Sequence, residues 1–281
     1  MLSFLKNHPF AVEAFFESSI VFAFAVPKEQ IGHLIPECLE LDLFEDKWAF
    51  IAVAMVQTRS LRPKGFPKIL GNDFFLIGYR VFVRFTNQEG KKRRGLYILK
   101  SETDRRKMAF LGNIFTHYNY TTTDIRQVRQ NDIVEISSIR SDFKIRIASP
   151  GGDGSGSDGF RGDGFRGDGF RGDGFRGDGS GGDSSGGDHI SLPAGSPFPD
   201  WKEARKFAGP LPFTFTYNST DKNVLIIEGV RENWKPAPVS VIEHNFSFIN
   251  RLQLDGARLA NAFIIRDIPY CWKKGKLERW K

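Results

Sequence analysis

The apolar residues of this chain come in short, closely spaced runs that alternate with a period of two or do not alternate at all. Ile20 to Val26 and Trp48 to Val56 are unbroken apolar runs, the mark of strands covered on both faces. Leu39, Leu41 and Leu43 alternate with Glu40 and Asp42, predicting a half-buried strand that turns at Glu45-Asp46 into the next. Asp73 to Phe85 and Arg94 to Ser101 flank the loop Asn87-Gln88-Glu89-Gly90 and predict a hairpin. Further strands are expected at Ile133 to Ile139, Phe143 to Ile147, Leu211 to Tyr217, Val224 to Val230, Val239 to Phe248 and Leu259 to Ile265.

Helical signals are few. Pro27 opens a short segment with Ile31, Leu34 and Ile35 at helical spacing, closed by Pro36. Asp104 is the expected cap of a helix whose apolar face is Met108, Leu111 and Phe115. Asp200 and Glu203 have capping-box spacing ahead of Trp201, Ala204 and Phe207. About ten strands with few helices predict a mainly β (α+β) fold, a closed or nearly closed antiparallel β-barrel with a few short helices. Strands and helices do not alternate, which disfavours a doubly wound nucleotide fold.

One tract interrupts the pattern. Asp recurs every five positions from Asp153 to Asp188, and between them Asp-Gly-Phe-Arg-Gly is repeated. Residues 151–188 hold 17 of the 29 Gly, with no apolar periodicity. Such a composition cannot bury enough surface to offset backbone entropy. The expectation is a single barrel domain over residues 1–281, interrupted at 150–192 by a disordered low-complexity insertion.

Charge and cysteine usage narrow the function classes. The net charge is +7, and the repeat tract contributes −4, so the remainder carries +11. That excess admits anionic partners without selecting one. Cys38 and Cys271 stand far apart, with no C-x-x-C or Cys/His cluster, so neither a disulfide framework nor a zinc site is expected. The opening residues lack a basic region followed by a long apolar run, and no apolar stretch approaches a membrane span. A cytoplasmic protein with no membrane partner is expected. The basic stretches 59–68 and 273–281 mix cations with aromatic rings, but no base-reading module is present, so no specific nucleic acid partner is expected.

No G-x-G-x-x-G, P-loop, H-E-x-x-H or G-x-S-x-G occurs, and the five His are dispersed. No cofactor and no metal is expected. Strand parity supplies the candidates instead. Arg80 shares a face with Phe82, opposite Tyr79 and Val81, and Lys100 shares a face with Leu96 and Ile98. Either is a candidate interior cation. Glu102 is the natural partner of Lys100, and His117 lies in the aromatic, hydroxyl-rich segment from Phe115 to Tyr120.

Leu34 to Asp42, Trp48 to Met55, Arg62-Pro-Lys-Gly-Phe-Pro67, Gly71 to Arg84, Gly95 to Asp104 and Gly209-Pro-Leu-Pro-Phe213 together resemble the conserved domain of unknown function 2071. That family belongs to the acetoacetate-decarboxylase-like superfamily. The resemblance implies a closed β-barrel around an apolar cavity. Acetoacetate decarboxylases form a Schiff base through the first lysine of an adjacent pair that follows a proline. Here Lys91-Lys92 and Lys273-Lys274 follow no proline, and Tyr118-Asn119 stands near the place of that pair. Classical Schiff-base decarboxylation is therefore not expected. The reading is a barrel that binds a small organic acid or apolar ligand. The alternatives are a non-catalytic structural or interaction protein, or a weak non-specific binder of nucleic acid or anionic surfaces.

Overall fold

The computed structural model describes residues 3–148, 192–232 and 234–280. The expected insertion, apart from Leu192, falls outside the described residues. In chain order the strands are β1 (Val12–Pro27), β2 (Glu40–Leu41), β3 (Trp48–Pro63), β4 (Asn72–Thr86), β5 (Lys92–Thr103), β6 (Tyr120–Thr122), β7 (Arg126–Gln130), β8 (Ile133–Ser138) and β9 (Phe143–Ala148). They continue with β10 (Phe213–Asn218), β11 (Asn223–Arg231), β12 (Ala237–Pro238), β13 (Ser240–Phe246), β14 (Arg258–Trp272) and β15 (Lys276–Arg279). The α-helices are α1 (Arg106–Phe115), α2 (Trp201–Ala208) and α3 (Ser247–Arg251). Pro27 and Pro36 bracket two short 3-10 turns rather than an α-helix.

Seven strands form a ring in the order β14-β1-β3-β4-β5-β10-β11, and β11 returns to β14 through Gly229↔Trp272, Val230↔Cys271 and Arg231↔Tyr270. Six of the seven pairings are antiparallel. β5 and β10 run parallel at Gly95↔Phe213, which corrects the fully antiparallel expectation. The long strands β1, β3 and β4 each run through 15 or 16 residues, more than their apolar runs suggested, because backbone pairing continues into polar residues.

Both faces of these strands are covered. Phe22, Ile51, Val53, Ile77, Tyr79 and Val81 face outward from the ring and pack on a second, four-stranded sheet, β13-β9-β8-β7, through Ile145, Ile147 and Phe246. The opposite face, inside the ring, carries Ala54, Val56, Phe74, Leu76 and Phe263. This two-sided burial is why β1, β3 and β4 read as continuous apolar runs instead of alternating ones. Phe44, Phe50, Phe198 and Phe207 form an aromatic cluster with neighbouring ring centroids 4.8–6.1 Å apart, which seats α2. Asp200 accepts a hydrogen bond from the Glu203 amide at 2.8 Å, so the expected α2 cap is present. Asp104 does not cap α1. Its carboxylate accepts the Phe75 amide of β4 at 2.8 Å, and Arg105 holds the cap position without a side-chain bond.

Candidate functional site

The ring encloses a cavity of about 410 Å³ to which every ring strand contributes, with α1 along one side. Its wall is mostly apolar, built from residues such as Val56, Phe74, Met108, Leu111 and Phe263. Arg80 projects into it from the middle of β4. Enclosure by protein lowers the Arg80 pKa from its ordinary value. Arginine nonetheless stays charged at neutral pH. Its Nε is buried and has no hydrogen-bond partner, and no carboxylate lies within ion-pair distance of it among the described residues. The surface that Arg80 retains belongs to the cavity.

Three phenols, Tyr118, Tyr120 and Tyr270, lie near this guanidinium and line the same cavity. Burial pushes the Tyr118 hydroxyl well above the usual tyrosine range and that of Tyr120 up to about 12, so both are neutral donors at pH 7. Thr214 lies close enough to Tyr118 to favour its ionised form, but the contact falls short of hydrogen-bond geometry, and the Tyr118 hydroxyl has no partner. Between the first two phenols Asn119 adopts φ 50°, a left-handed geometry that asparagine tolerates. Tyr270 is held by stacking on Phe16 at 4.6 Å.

Other polar atoms of the lining are also unsatisfied. His8 Nδ1, Thr58 Oγ1 and Trp234 Nε1 are buried without partners, like Arg80 Nε and Tyr118 Oη, and all five residues line the cavity. Folded proteins rarely leave such groups unpaired. Among the described residues the lining contains three arginines and no Asp, Glu or Lys. Arg62 is neutralised by Glu13 at 2.6 Å. Arg231 donates to the Pro210 carbonyl at 2.6 Å and lies 4.6 Å over Trp234.

The candidates read from parity separate here. Arg80 lines the cavity. Lys100 does not share the face of Leu96 and Ile98, because Arg80 pairs with Ile98 while Tyr79 pairs with Lys100. The extra residue, Leu99, forms a bulge that turns Lys100 to the outer face. There Lys100 lies 5.3 Å over Phe248 and 2.9 Å from Glu102. Glu102 is almost wholly buried and also accepts the Ser141 hydroxyl at 2.5 Å. His117 Nε2 lies 3.3 Å from Asn7 Oδ1 outside the cavity, while its neighbours Thr116 and Tyr118 line it. The three phenols were not among the candidates read from the sequence; Tyr118 and Tyr120 flank the left-handed Asn119, so strand parity does not foresee that both line the cavity.

Among the described residues no three His, Cys, Asp or Glu side chains are placed to hold a metal ion, and no helix is long and apolar enough to cross a membrane. Cys38 is buried and Cys271 half-buried, and both are free thiols. Within the basic stretches Arg59 pairs with Glu17 and Asp73, Arg62 with Glu13, and Lys273 with Glu228.

Comparison with known proteins agrees with this architecture. The model of the family DUF2071, described as an uncharacterized conserved protein, matches residues 15–159. No curated protein matches the chain. An acetoacetate decarboxylase from Legionella pneumophila subsp. pneumophila str. Philadelphia 1 superimposes with a TM-score of 0.53 at 10% identity, over 96% of this chain and 87% of that one. An acetoacetate decarboxylase-like enzyme from Sphingomonas wittichii RW1 gives 0.51 at 9% identity, over 99% and 94% of the two chains. A further acetoacetate decarboxylase structure gives 0.53 at 9% identity, over 95% and 89%. The chain is a member of the DUF2071 family, with the fold of acetoacetate decarboxylase-like proteins.

Proposed function

We propose that the ring is a closed β-barrel whose cavity binds a small organic acid with an apolar body, the carboxylate resting on Arg80. The observation that carries this reading is a charged guanidinium inside an apolar cavity whose lining holds no carboxylate to balance it. A buried, uncompensated charge is costly to fold around. An anionic ligand removes that cost by supplying a charge-assisted, bidentate pair. The phenols of Tyr118, Tyr120 and Tyr270 offer further donors to the same head group, and the apolar wall takes the rest of the molecule. A cavity of about 410 Å³ suits a ligand of on the order of ten non-hydrogen atoms.

Schiff-base decarboxylation is not part of this reading. The described lining contains no lysine, and the resemblance puts the catalytic pair near Tyr118-Asn119, where no lysine stands. Thermal melts with a panel of apolar monocarboxylates and the corresponding alcohols test the proposal. Stabilisation that rises with concentration for the acids and not for the alcohols is expected. Equal response to acids and alcohols, or none to either, contradicts it.

A further inference from the structure

A second cation without a carboxylate partner among the described residues lines the cavity. Arg231, the last residue of β11, lines the same cavity as Arg80. Among the described residues Arg231 makes no ion pair with a carboxylate; its partners there are the Pro210 carbonyl and the face of Trp234. Those two contacts fix the guanidinium in place and leave N–H groups unspent, because arginine carries five donors. Trp234 adds a buried indole N–H with no acceptor. Trp234 and Pro210 are shared with an outer depression whose other residues are Arg205, Lys235 and Pro236. Among the described residues neither Arg205 nor Lys235 forms an ion pair, whereas the neighbouring Lys206 reaches Glu203 at 3.6 Å. Glu232 is exposed and pairs with none of these cations.

We infer that Arg231, beside this outer depression, forms a second anion subsite, and that the ligand is an acid carrying two anionic groups joined by an apolar body. The inference rests on the reading that Arg80 holds the inner carboxylate. A monoacid engages Arg80 and leaves Arg231 and the Trp234 indole to water. A diacid satisfies both arginines, and the exposed Arg205 and Lys235 draw it in and make its binding sensitive to salt.

The experiment compares straight-chain dicarboxylates, from adipate to dodecanedioate, with their half-methyl esters, which keep the length and lose one charge. Titration calorimetry is run on the full chain, on Arg231→Gln and on the surface double variant Arg205→Gln/Lys235→Gln. At the best-fitting length the diacid is expected to bind about tenfold tighter than its half ester, as one charged hydrogen-bonded contact implies. That ratio should fall below about threefold in Arg231→Gln and shrink in the double variant, which remains informative if Arg231→Gln does not fold. Equal affinity of diacid and half ester at every length overturns the inference. So does a ratio that survives both variants. In either case half-ester binding that is lost in Arg80→Met leaves the inner carboxylate site standing. If neither compound binds the full chain, the Arg80 reading fails and this inference with it.

Discussion

The guanidinium of Arg80 lies over Gly78 on the inner face of β4, so close that a Cβ at residue 78 would stand 2.8 Å from Arg80 Nε. Two positions apart on one strand, the residues share a face, and the missing side chain is the space that the cation occupies. Gly78→Ala must therefore shift a flexible side chain rather than the backbone. It is expected to leave the melting temperature within a few degrees of wild type and to weaken carboxylate binding roughly tenfold, on the scale of one charged hydrogen bond. Titration calorimetry beside a thermal melt checks both. Unchanged affinity would mean that Arg80 is not positioned by this contact.

Tyr118 makes a second, independent test of the cavity. Its hydroxyl is buried without a partner, so Tyr118→Phe removes an unsatisfied group and should cost no stability, with a gain of up to about 1 kcal/mol. Carboxylate affinity should fall by about three- to tenfold as one donor to the head group is lost. A chemical denaturation curve and a ligand titration of this variant separate the two effects. Marked destabilisation would show that the hydroxyl has a structural partner.

Outside the cavity, Asp42 is wholly buried and accepts Arg84 Nε at 2.5 Å and Arg94 Nε at 2.6 Å. It ties the strand β2 to both β4 and β5. Removing Asp42 takes the acceptor from two arginines whose side chains remain 40% and 36% exposed, so the loss is that of charged hydrogen bonds, roughly 1–3 kcal/mol. Asp42→Ala should lower the unfolding free energy by that order in urea, whereas Lys28→Ala, which breaks the exposed pair with Asp46, should change it by less than about 1 kcal/mol. Similar losses in the two variants would contradict the contrast.

Stability should also respond to pH in two windows. Burial lowers the pKa of His8, His117 and His244 below the ordinary histidine value. The unfolded chain then binds more protons than the folded one once pH drops toward about 6.5, so stability present at neutral pH declines with acidification. Asp124, held down to about 2 chiefly by the Arg140 amide and the Ser138 hydroxyl, adds a separate loss as pH falls below about 4 toward 2. Urea midpoints measured from pH 8 to 3 should fall through both windows, and His8→Phe should flatten the upper one. A midpoint that rises between pH 7 and 5 would contradict this sign.

The sequence revealed the strands most clearly where both faces are buried, because apolar packing there overrides every other signal. Arg80 was legible as an interior cation because β4 keeps strict alternation from Phe74 to Phe82. Lys100 was misplaced because parity fails at a bulge, and the extra residue at Leu99 is a matter of pairing geometry that local sequence does not encode. The α1 cap was misassigned for a related reason: Asp104 is claimed by the Phe75 amide of a neighbouring strand, a long-range contact. The phenols near Arg80 come from the segment after α1 and from β14, and only the closure of the ring brings them together.

The proposed role of Arg80 is to hold an anionic ligand at some expense of stability. It is tested most directly by calorimetric titration of wild type and Arg80→Met with a matched apolar carboxylate and its primary amide. The expected result is carboxylate binding at least about tenfold tighter than amide binding in wild type. In Arg80→Met that preference should vanish while the unfolding free energy rises by about 1–3 kcal/mol, since an unpaired buried charge has been replaced by an apolar side chain of similar length. Carboxylate binding that persists unchanged in Arg80→Met, or an Arg80→Met protein less stable than wild type, would contradict it.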